Sequence, residues 1–242
     1  MNQKKINLIE SISVVLPSKN HEKLILENFY EFKQFLHDNF NEFEILIVSN
    51  GSSNENVNLL KNKISLDQSI SIYETEIAGK GNAVKLGISK AKYLNVVLFD
   101  SDFSYDYKLI LNFFEQNKPL SSFCYGNRNL TKNVIKNTKK SRLVAGSIFN
   151  ILVKNYFGIN SDDTQAGLKF IDKRYFKNAD QFISGNYMYD IELFLLAKKL
   201  NIYPTPIYVS EINTSANTNI KLFKDSLEMF LSMRKIKKYY FS

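Results

Sequence analysis

Asp100-Ser101-Asp102 ends a short apolar run, Tyr93-Leu94-Asn95-Val96-Val97-Leu98-Phe99, and its two carboxylates are the groups whose type and spacing point most directly to chemistry. Two aspartates one residue apart, just past a strand end, can turn toward a common point. There they suit a hard divalent cation, Mg²⁺ or Mn²⁺, which prefers oxygen ligands and usually also holds a substrate's phosphates. That combination suits nucleotide-sugar chemistry. Aspartate and serine are also ordinary turn residues, so a strand followed by a turn is the plainer reading of the same positions. Gly79-Lys80-Gly81-Asn82 is a second group, because free N–H groups at a helix N-terminus favour anions. It follows the third strand rather than the first and lacks a third glycine, so it fails as a dinucleotide fingerprint. It reads either as part of a ligand site or as a helix start. A third group is basic: Gly126-Asn127-Arg128 opens a segment carrying Lys132, Lys136, Lys139, Lys140 and Arg142 with few acids, a pattern that usually marks solvated surface.

These groups need a scaffold, and the hydrophobic pattern supplies one. The residues before Asp100 read as a strand buried on both faces of a parallel sheet, whose C-terminal edge is where open α/β sheets bind ligands. Ser11 to Leu16 is another buried strand, closed by Pro17-Ser18-Lys19-Asn20. Leu24, Leu26, Phe29, Phe32 and Leu36 recur at helical spacing within 22–40. Phe43 to Ser49 repeats the strand signal and ends in Asn50-Gly51-Ser52-Ser53-Asn54. A helix over 56–63, a strand over 70–74, a helix from Gly79 through Ala91 and the strand before Asp100 complete a β-α-β-α-β-α-β alternation, which implies right-handed crossovers. Beyond it the pattern predicts a helix over 107–117, a strand over 122–125, an apolar helix over 143–157, a strand entered from Asp162 to Lys169, a helix from Tyr189 and a strand over 203–211. Residues 219–240 form a basic helix with Leu222, Phe223, Leu227, Phe230 and Leu231 near one face. It either packs on the domain or lies at a membrane interface. The expected division is a domain over 1–218 and this helix over 219–242.

A chain of 242 residues with 44% hydrophobic content, nine glycines and four prolines is globular and large enough for one sizeable α/β core. Cys124 is the single cysteine, which excludes an internal disulfide, and its apolar neighbours point to a packing role. The polar N-terminus and the absence of any apolar run near the ~20 residues of a membrane span lead us to expect a cytoplasmic protein, at most peripheral to a membrane face. The net charge of +8 favours anionic partners. No recognised nucleic-acid-binding module appears, and nucleic acid is not an expected partner.

Taken in order, the motifs resemble the family 2 glycosyltransferases of GT-A fold, and within them the dolichyl- or polyprenyl-phosphate sugar transferases. Val14 to Asn20 resembles the family's first strand and Pro-x-x-Asn loop; Gly79-Lys80-Gly81 its helix start; Asp100-Ser101-Asp102 its metal motif; Gly126-Asn127-Arg128 its Gly-Ser-Arg. Asp163-Thr164-Gln165-Ala166-Gly167-Leu168-Lys169, followed by Tyr189-Asp190-Ile191-Glu192, resembles a motif pair of the dolichyl-phosphate glucosyltransferase-like branch. One departure stands out: Ser49-Asn50-Gly51-Ser52 replaces the family's Asp-Asp-Gly-Ser, and an amide that both donates and accepts stands where a carboxylate contacts the nucleoside.

The resemblance implies an inverting, metal-dependent transfer of a hexose from a UDP- or GDP-sugar. Asp100 and Asp102 would hold the metal, and Pro17, Ser18, Asn20, Asn50, Gly51, Lys80, Gly81, Asp100 and Ser101 the donor. A polyprenyl phosphate acceptor is already an anion near neutral pH and needs no strong base. It needs cations, for which Arg128, Arg142 and Lys169 are the candidates. A sugar hydroxyl acceptor, as in capsule, lipopolysaccharide or glycan synthesis, needs a carboxylate base, Asp163 first and Asp190 second; each of these also reads as a structural carboxylate at a strand or helix start. The rival from another class is a nucleotide-sugar-binding protein without turnover.

Overall fold

The computed structural model describes residues 8–64, 66–128, 140–176, 182–210 and 222–241, with side chains described outside 140–148 and 222–230. The elements run β1 (Ile9–Ser18), α1 (Glu22–Asn39), β2 (Phe40–Ser49), α2 (Asn54–Ile64), β3 (Ile70–Glu74), α3 (Lys80–Lys90) and β4 (Asn95–Phe99). A 3₁₀ helix (Tyr107–Phe113) follows, then β5 (Phe114–Glu115), β6 (Lys118–Pro119), β7 (Phe123–Asn127), α4 (Lys140–Phe157), β8 (Leu168–Asp172), α5 (Lys173–Phe176), α6 (Tyr189–Lys199), β9 (Thr205–Tyr208) and α7 (Leu222–Phe241). Seven strands form one sheet in the order β3-β2-β1-β4-β8-β7-β9. All neighbours are parallel except β8, which runs antiparallel to both β4 and β7.

Successive residues of the central strands feed opposite cores, as the two-residue strand period requires. Val15, Val96, Leu98 and Ile171 face a cluster closed by α3, α4, α6 and α7. Val14, Leu16, Val97, Phe99 and Phe170 face one closed by α1, α2 and the 3₁₀ helix. On the first face α3 lies so close to β1 that a Cβ on Gly87 would sit 2.3 Å from Val15 Cγ1. Cys124 is fully buried, its thiol pushed up to about 12 by burial, which fits the packing role. Among the described residues, no helix is long and apolar enough to cross a membrane.

Two boundaries differ from the sequence expectation. The segment 107–117 is a 3₁₀ turn, with Asp106 accepting from Lys108 N, followed by a β5–β6 hairpin. Its apolar residues do recur at helical spacing. Gln116 and Asn117, however, adopt positive φ of 48° and 64°, the backbone of a tight two-residue hairpin turn, and this ends any helix. The last strand is shorter than expected, Thr205–Tyr208, with Glu211 outside the described residues.

Candidate active site

The candidate residues meet at one edge of the sheet, where β1, β2, β4 and β7 end and β8 begins. The loop after β4 is shaped by Phe103, which is buried although its φ is +49°, a strained value for a bulky residue. Its ring packs on Phe99 at 5.4 Å and on Phe32 at 5.7 Å, and these contacts hold the turn closed by Phe103 N donating to Asp100 O. Ser101 turns inward: its hydroxyl donates to Pro17 O at 2.8 Å and lies 3.1 Å from His21 Nδ1. Asp102 accepts from Ser104 N at 3.0 Å. Asp100 pairs with Lys80 Nζ at 2.5 Å. Its other oxygen lies against Gly167, where an added Cβ would come within 1.9 Å.

The loops after β1 and β2 are tied together by a buried acid. Glu22 Oε1 accepts from Ser18 Oγ at 3.0 Å and Ser52 Oγ at 2.5 Å, and Glu22 Oε2 has no hydrogen-bond partner among the described residues. Asn20 N donates to Ser52 Oγ, while Asn20 Oδ1 accepts from Ser53 N and Asn56 Nδ2. Asn50 is 5% exposed, and its N–H donates to Ser18 O at 2.8 Å. Gly51 takes a φ of +96°, which explains the glycine there.

Gly79 and Gly81 serve a purpose other than opening the start of α3 to an anion. An added Cβ at Gly79 would lie 2.2 Å from Gly185 O, and one at Gly81 would lie 2.6 Å from Ser184 O. Asn82 N donates to Gly185 O at 3.2 Å, so the loop Ser184–Asn186 covers the first turn of the helix. Glu192 fixes that loop, accepting from Ile183 N and Ser184 N, both at 2.8 Å. What the Gly-Lys-Gly segment delivers to the site is the Lys80 side chain.

Three ion pairs run across the edge. Lys80 pairs with Asp100. Lys169 Nζ lies 2.6 Å from Asp190 Oδ1, with 1% and 3% of the two side chains exposed. Arg128 grips Asp163 through Nε to Oδ2 at 2.7 Å, Nη2 to Oδ1 at 2.9 Å and its own N–H to Oδ2 at 3.1 Å. Burial pushes the Asp163 carboxyl up, but the Arg128 contacts outweigh it and hold the group below its ordinary value. At Asp190 burial wins over Lys169 and Lys80, and the carboxyl is raised. At Lys80 burial is outweighed by Asp100 and Asp190, and the ammonium is held charged more firmly than usual.

The structure therefore gathers Pro17, Ser18, Asn20, Asn50, Gly51, Lys80, Gly81, Asp100, Ser101, Asp102, Arg128, Asp163, Lys169 and Asp190 at one edge. It corrects Lys169 as a hand for an acceptor phosphate: its ammonium is buried and bound to Ala166 O and Asp190, so it faces inward. Arg128 keeps 31% of its side chain exposed while bound to Asp163. The Arg142 and Lys140 side chains, and all of Lys132, Lys136 and Lys139, lie outside the described residues. Glu22, His21, Gly167 and Glu192 were not given roles by the sequence. Gly167 and Glu192 did carry a signal, since each stands inside a quoted motif, Gly167 between Asp163 and Lys169 and Glu192 two positions after Asp190.

Among the described residues there is no cluster of three or more metal-ligating side chains. Asp100 and Asp102 nevertheless fit a hard cation that takes its remaining ligands from phosphate and water. A lysine ammonium already neutralises one of them, and the missing Cβ at Gly167 leaves the room that Asp100 fills.

The model of the glycosyl transferase family 2 matches residues 13–186. The chain belongs to that family and is a glycosyltransferase. No curated protein matches it significantly. Among solved structures it is similar to glucosyl-3-phosphoglycerate synthase from Mycobacterium tuberculosis in complex with uridine diphosphate, at 16% identity and a TM-score of 0.62, covering 95% of this chain and 78% of that one. It is similar also to mannosyl-3-phosphoglycerate synthase from Rubrobacter xylanophilus, at 17% identity and a TM-score of 0.63, covering 94% and 73%. A third structure, the mycobacterial enzyme with Mn²⁺ and UDP-glucose, aligns at 17% identity and a TM-score of 0.60, covering 93% and 79%. The likeness is one of fold, the GT-A fold that the resemblance of the motifs led us to expect, on the mostly parallel sheet that the alternating strands and helices predicted.

Proposed function

We propose that this glycosyltransferase moves a hexose from a UDP- or GDP-sugar to a phosphate oxygen of a polyprenyl phosphate, with inversion at the anomeric carbon. The observation that supports an anionic acceptor is the state of the two candidate bases. Asp163 is clamped by Arg128 and held ionised below its ordinary range, so it is a poor proton acceptor near neutral pH. Asp190 has its carboxyl raised by burial, but it is paired with Lys169 and only 3% exposed, which shields it from an acceptor hydroxyl. An acceptor that arrives as a phosphate monoanion or dianion carries its own nucleophilic oxygen and asks neither residue for a proton transfer.

In this reading Asp100 and Asp102 hold Mg²⁺ or Mn²⁺, which when bound supplies Lewis-acid charge to the diphosphate leaving group. Lys80 adds a second positive charge beside it. The loops Pro17–Asn20 and Asn50–Ser52, tied by Glu22, enclose the nucleoside. Asp163 orients Arg128, whose exposed edge meets the acceptor phosphate with a forked guanidinium. Lys169 and Asp190 form the floor on which α6 and β8 meet.

A second reading has one observation in its favour: similar solved structures include glucosyl- and mannosyl-3-phosphoglycerate synthases, one of them in complex with phosphoglyceric acid, a small phosphorylated hydroxy acid. One assay separates the two. The chain is incubated with radiolabelled UDP- and GDP-hexoses, Mn²⁺ or EDTA, and either a short polyprenyl phosphate or 3-phosphoglycerate. Metal-dependent label in the organic phase, absent with Asp102→Ala, is the expected result. Label that stays in water and requires phosphoglycerate moves the acceptor to the second reading. Thermal shift against the same nucleotides reads the donor half alone, since a ligand that binds only the native state raises its midpoint.

A further inference from the structure

The negative side of the candidate metal locus is already filled by a cation of the protein itself. Lys80 Nζ covers Asp100 Oδ1 at 2.5 Å, with only 19% of the lysine and 25% of the aspartate side chain exposed. Asp100 Oδ2 lies against the Gly167 backbone. An arriving ion therefore meets Asp100 with one oxygen already held by an ammonium and the other set close to the chain at Gly167. The Lys80 backbone is pinned, because Asn82 N donates to Gly185 O and Gly79 and Gly81 press on the Ser184–Asn186 loop. The ammonium can swing on its flexible stem; its Cα cannot follow. Around it stand the Tyr189 ring, with its centroid 6.0 Å away, and Asp190, whose carboxylate is already taken by Lys169. Of the two carboxylates whose charge acts on Lys80 among the described residues, Asp100 and Asp190, the second is thus already engaged.

We propose that Lys80 is an internal stand-in for the divalent ion. It closes Asp100 to metal until a diphosphate arrives, then gives up the carboxylate as its ammonium passes to the diphosphate oxygens. Metal alone must strip Lys80 from Asp100 and leave the ammonium without a partner. Metal with nucleotide brings the replacement partner along. The two ligands therefore load together, and each tightens the other by the same factor, as linkage requires. This inference rests on the reading of Asp100 and Asp102 as metal ligands.

The test is Mn²⁺ titration of the full chain followed by the EPR signal of the free ion, with and without UDP. Thermal unfolding of each variant without ligand shows first that it is folded. Wild type binds Mn²⁺ weakly alone and more tightly with UDP. Lys80→Met binds Mn²⁺ alone about tenfold tighter than wild type, and the gain from UDP shrinks by a similar factor, within the range typical of coupled sites. Lys23→Met removes an exposed positive charge from the first turn of α1, just past the same sheet edge, and shifts the metal affinity by less than about twofold, the size expected of a solvent-screened charge. A wild-type measurement stands even where Lys80→Met does not fold. With lysine side chains followed by NMR, Mg²⁺ alone leaves the Lys80 signal in place at a concentration that saturates the UDP-bound site, and UDP with Mg²⁺ moves it. UDP-assisted Mn²⁺ binding by wild type, with Lys80→Met no tighter, overturns the role of Lys80 alone, as does movement of the Lys80 signal by Mg²⁺ alone. No Mn²⁺ binding in any sample, UDP included, overturns the metal-site reading and this inference with it.

Discussion

Asp163 and Asp190 stand at the same edge with opposite titration behaviour, and the difference lies in their partners. Asp163 is held below its ordinary 3.8 by Arg128, so the clamp contributes stability that is present above that value and is lost as pH falls through the lower folded value. Asp163→Asn should cost about 2 kcal/mol near pH 7. In urea unfolding at several pH values, the gap to wild type should close once the pH is well below 3.8. Asp190 is raised above 3.8, so its contribution runs the other way, full at low pH and lost as pH rises through the raised value. It is also half of a buried pair. Asp190→Asn strands the Lys169 ammonium, which is 1% exposed, and should cost about 3 kcal/mol or more. Adding Lys169→Met should recover part of that loss, and strictly additive effects in urea unfolding would contradict the pairing. The sequence made these residues legible as types but not as pairs. The partners lie on separate segments, such as the residue after β7 with the loop before β8 and β8 with α6, and nothing in their local spacing announces a long-range contact.

The elements carry the site through close backbone approaches, and glycines mark them. Gly87→Ala would push a Cβ against Val15 in the face shared by α3 and β1. Overpacking should outweigh the gain in helix propensity and cost about 1–2 kcal/mol, leaving UDP affinity unchanged by calorimetry. Gly167→Ala acts at the site itself, because its Cβ must evict Asp100. Metal-dependent nucleotide binding should fall about tenfold or more while the unfolding midpoint moves little. Equal losses of stability and binding in both variants would refute this division. The βα alternation through β4 was legible because buried strands and amphipathic helices differ in period. The segment after Asp106 was not, since Leu109, Ile110 and Phe113 fit a helix and the positive φ values at Gln116 and Asn117 leave no mark in a hydrophobic pattern.

At the scale of the molecule, α7 belongs to the domain's core on this geometry. Met233 and Ile236 are buried in the cluster that also holds Val153 and Phe157, and Lys237 stands 4.1 Å from the Tyr156 ring centroid. Of the apolar face expected on this helix, Leu231 is described, and it is 56% exposed. Truncation before Leu222 should lower unfolding stability by about 3 kcal/mol or more, from the loss of those two side chains alone. A truncated chain as stable as the full one would return α7 to the role of a detachable surface helix.

The direction of β8 was not legible, since a strand's residues do not state which way it pairs. It nonetheless has a consequence for the chain while it is being synthesised. β4 pairs with β1 on one side, and its other side waits for β8, which emerges from the ribosome only after β7 and α4. Until then a short apolar strand is an open edge, of the kind that invites pairing with other chains. The carboxylates at its end meanwhile lack Gly167 and the Lys169–Asp190 floor. The inner edge of β4 thus stays open to other chains from translation of residue 99 until residue 172.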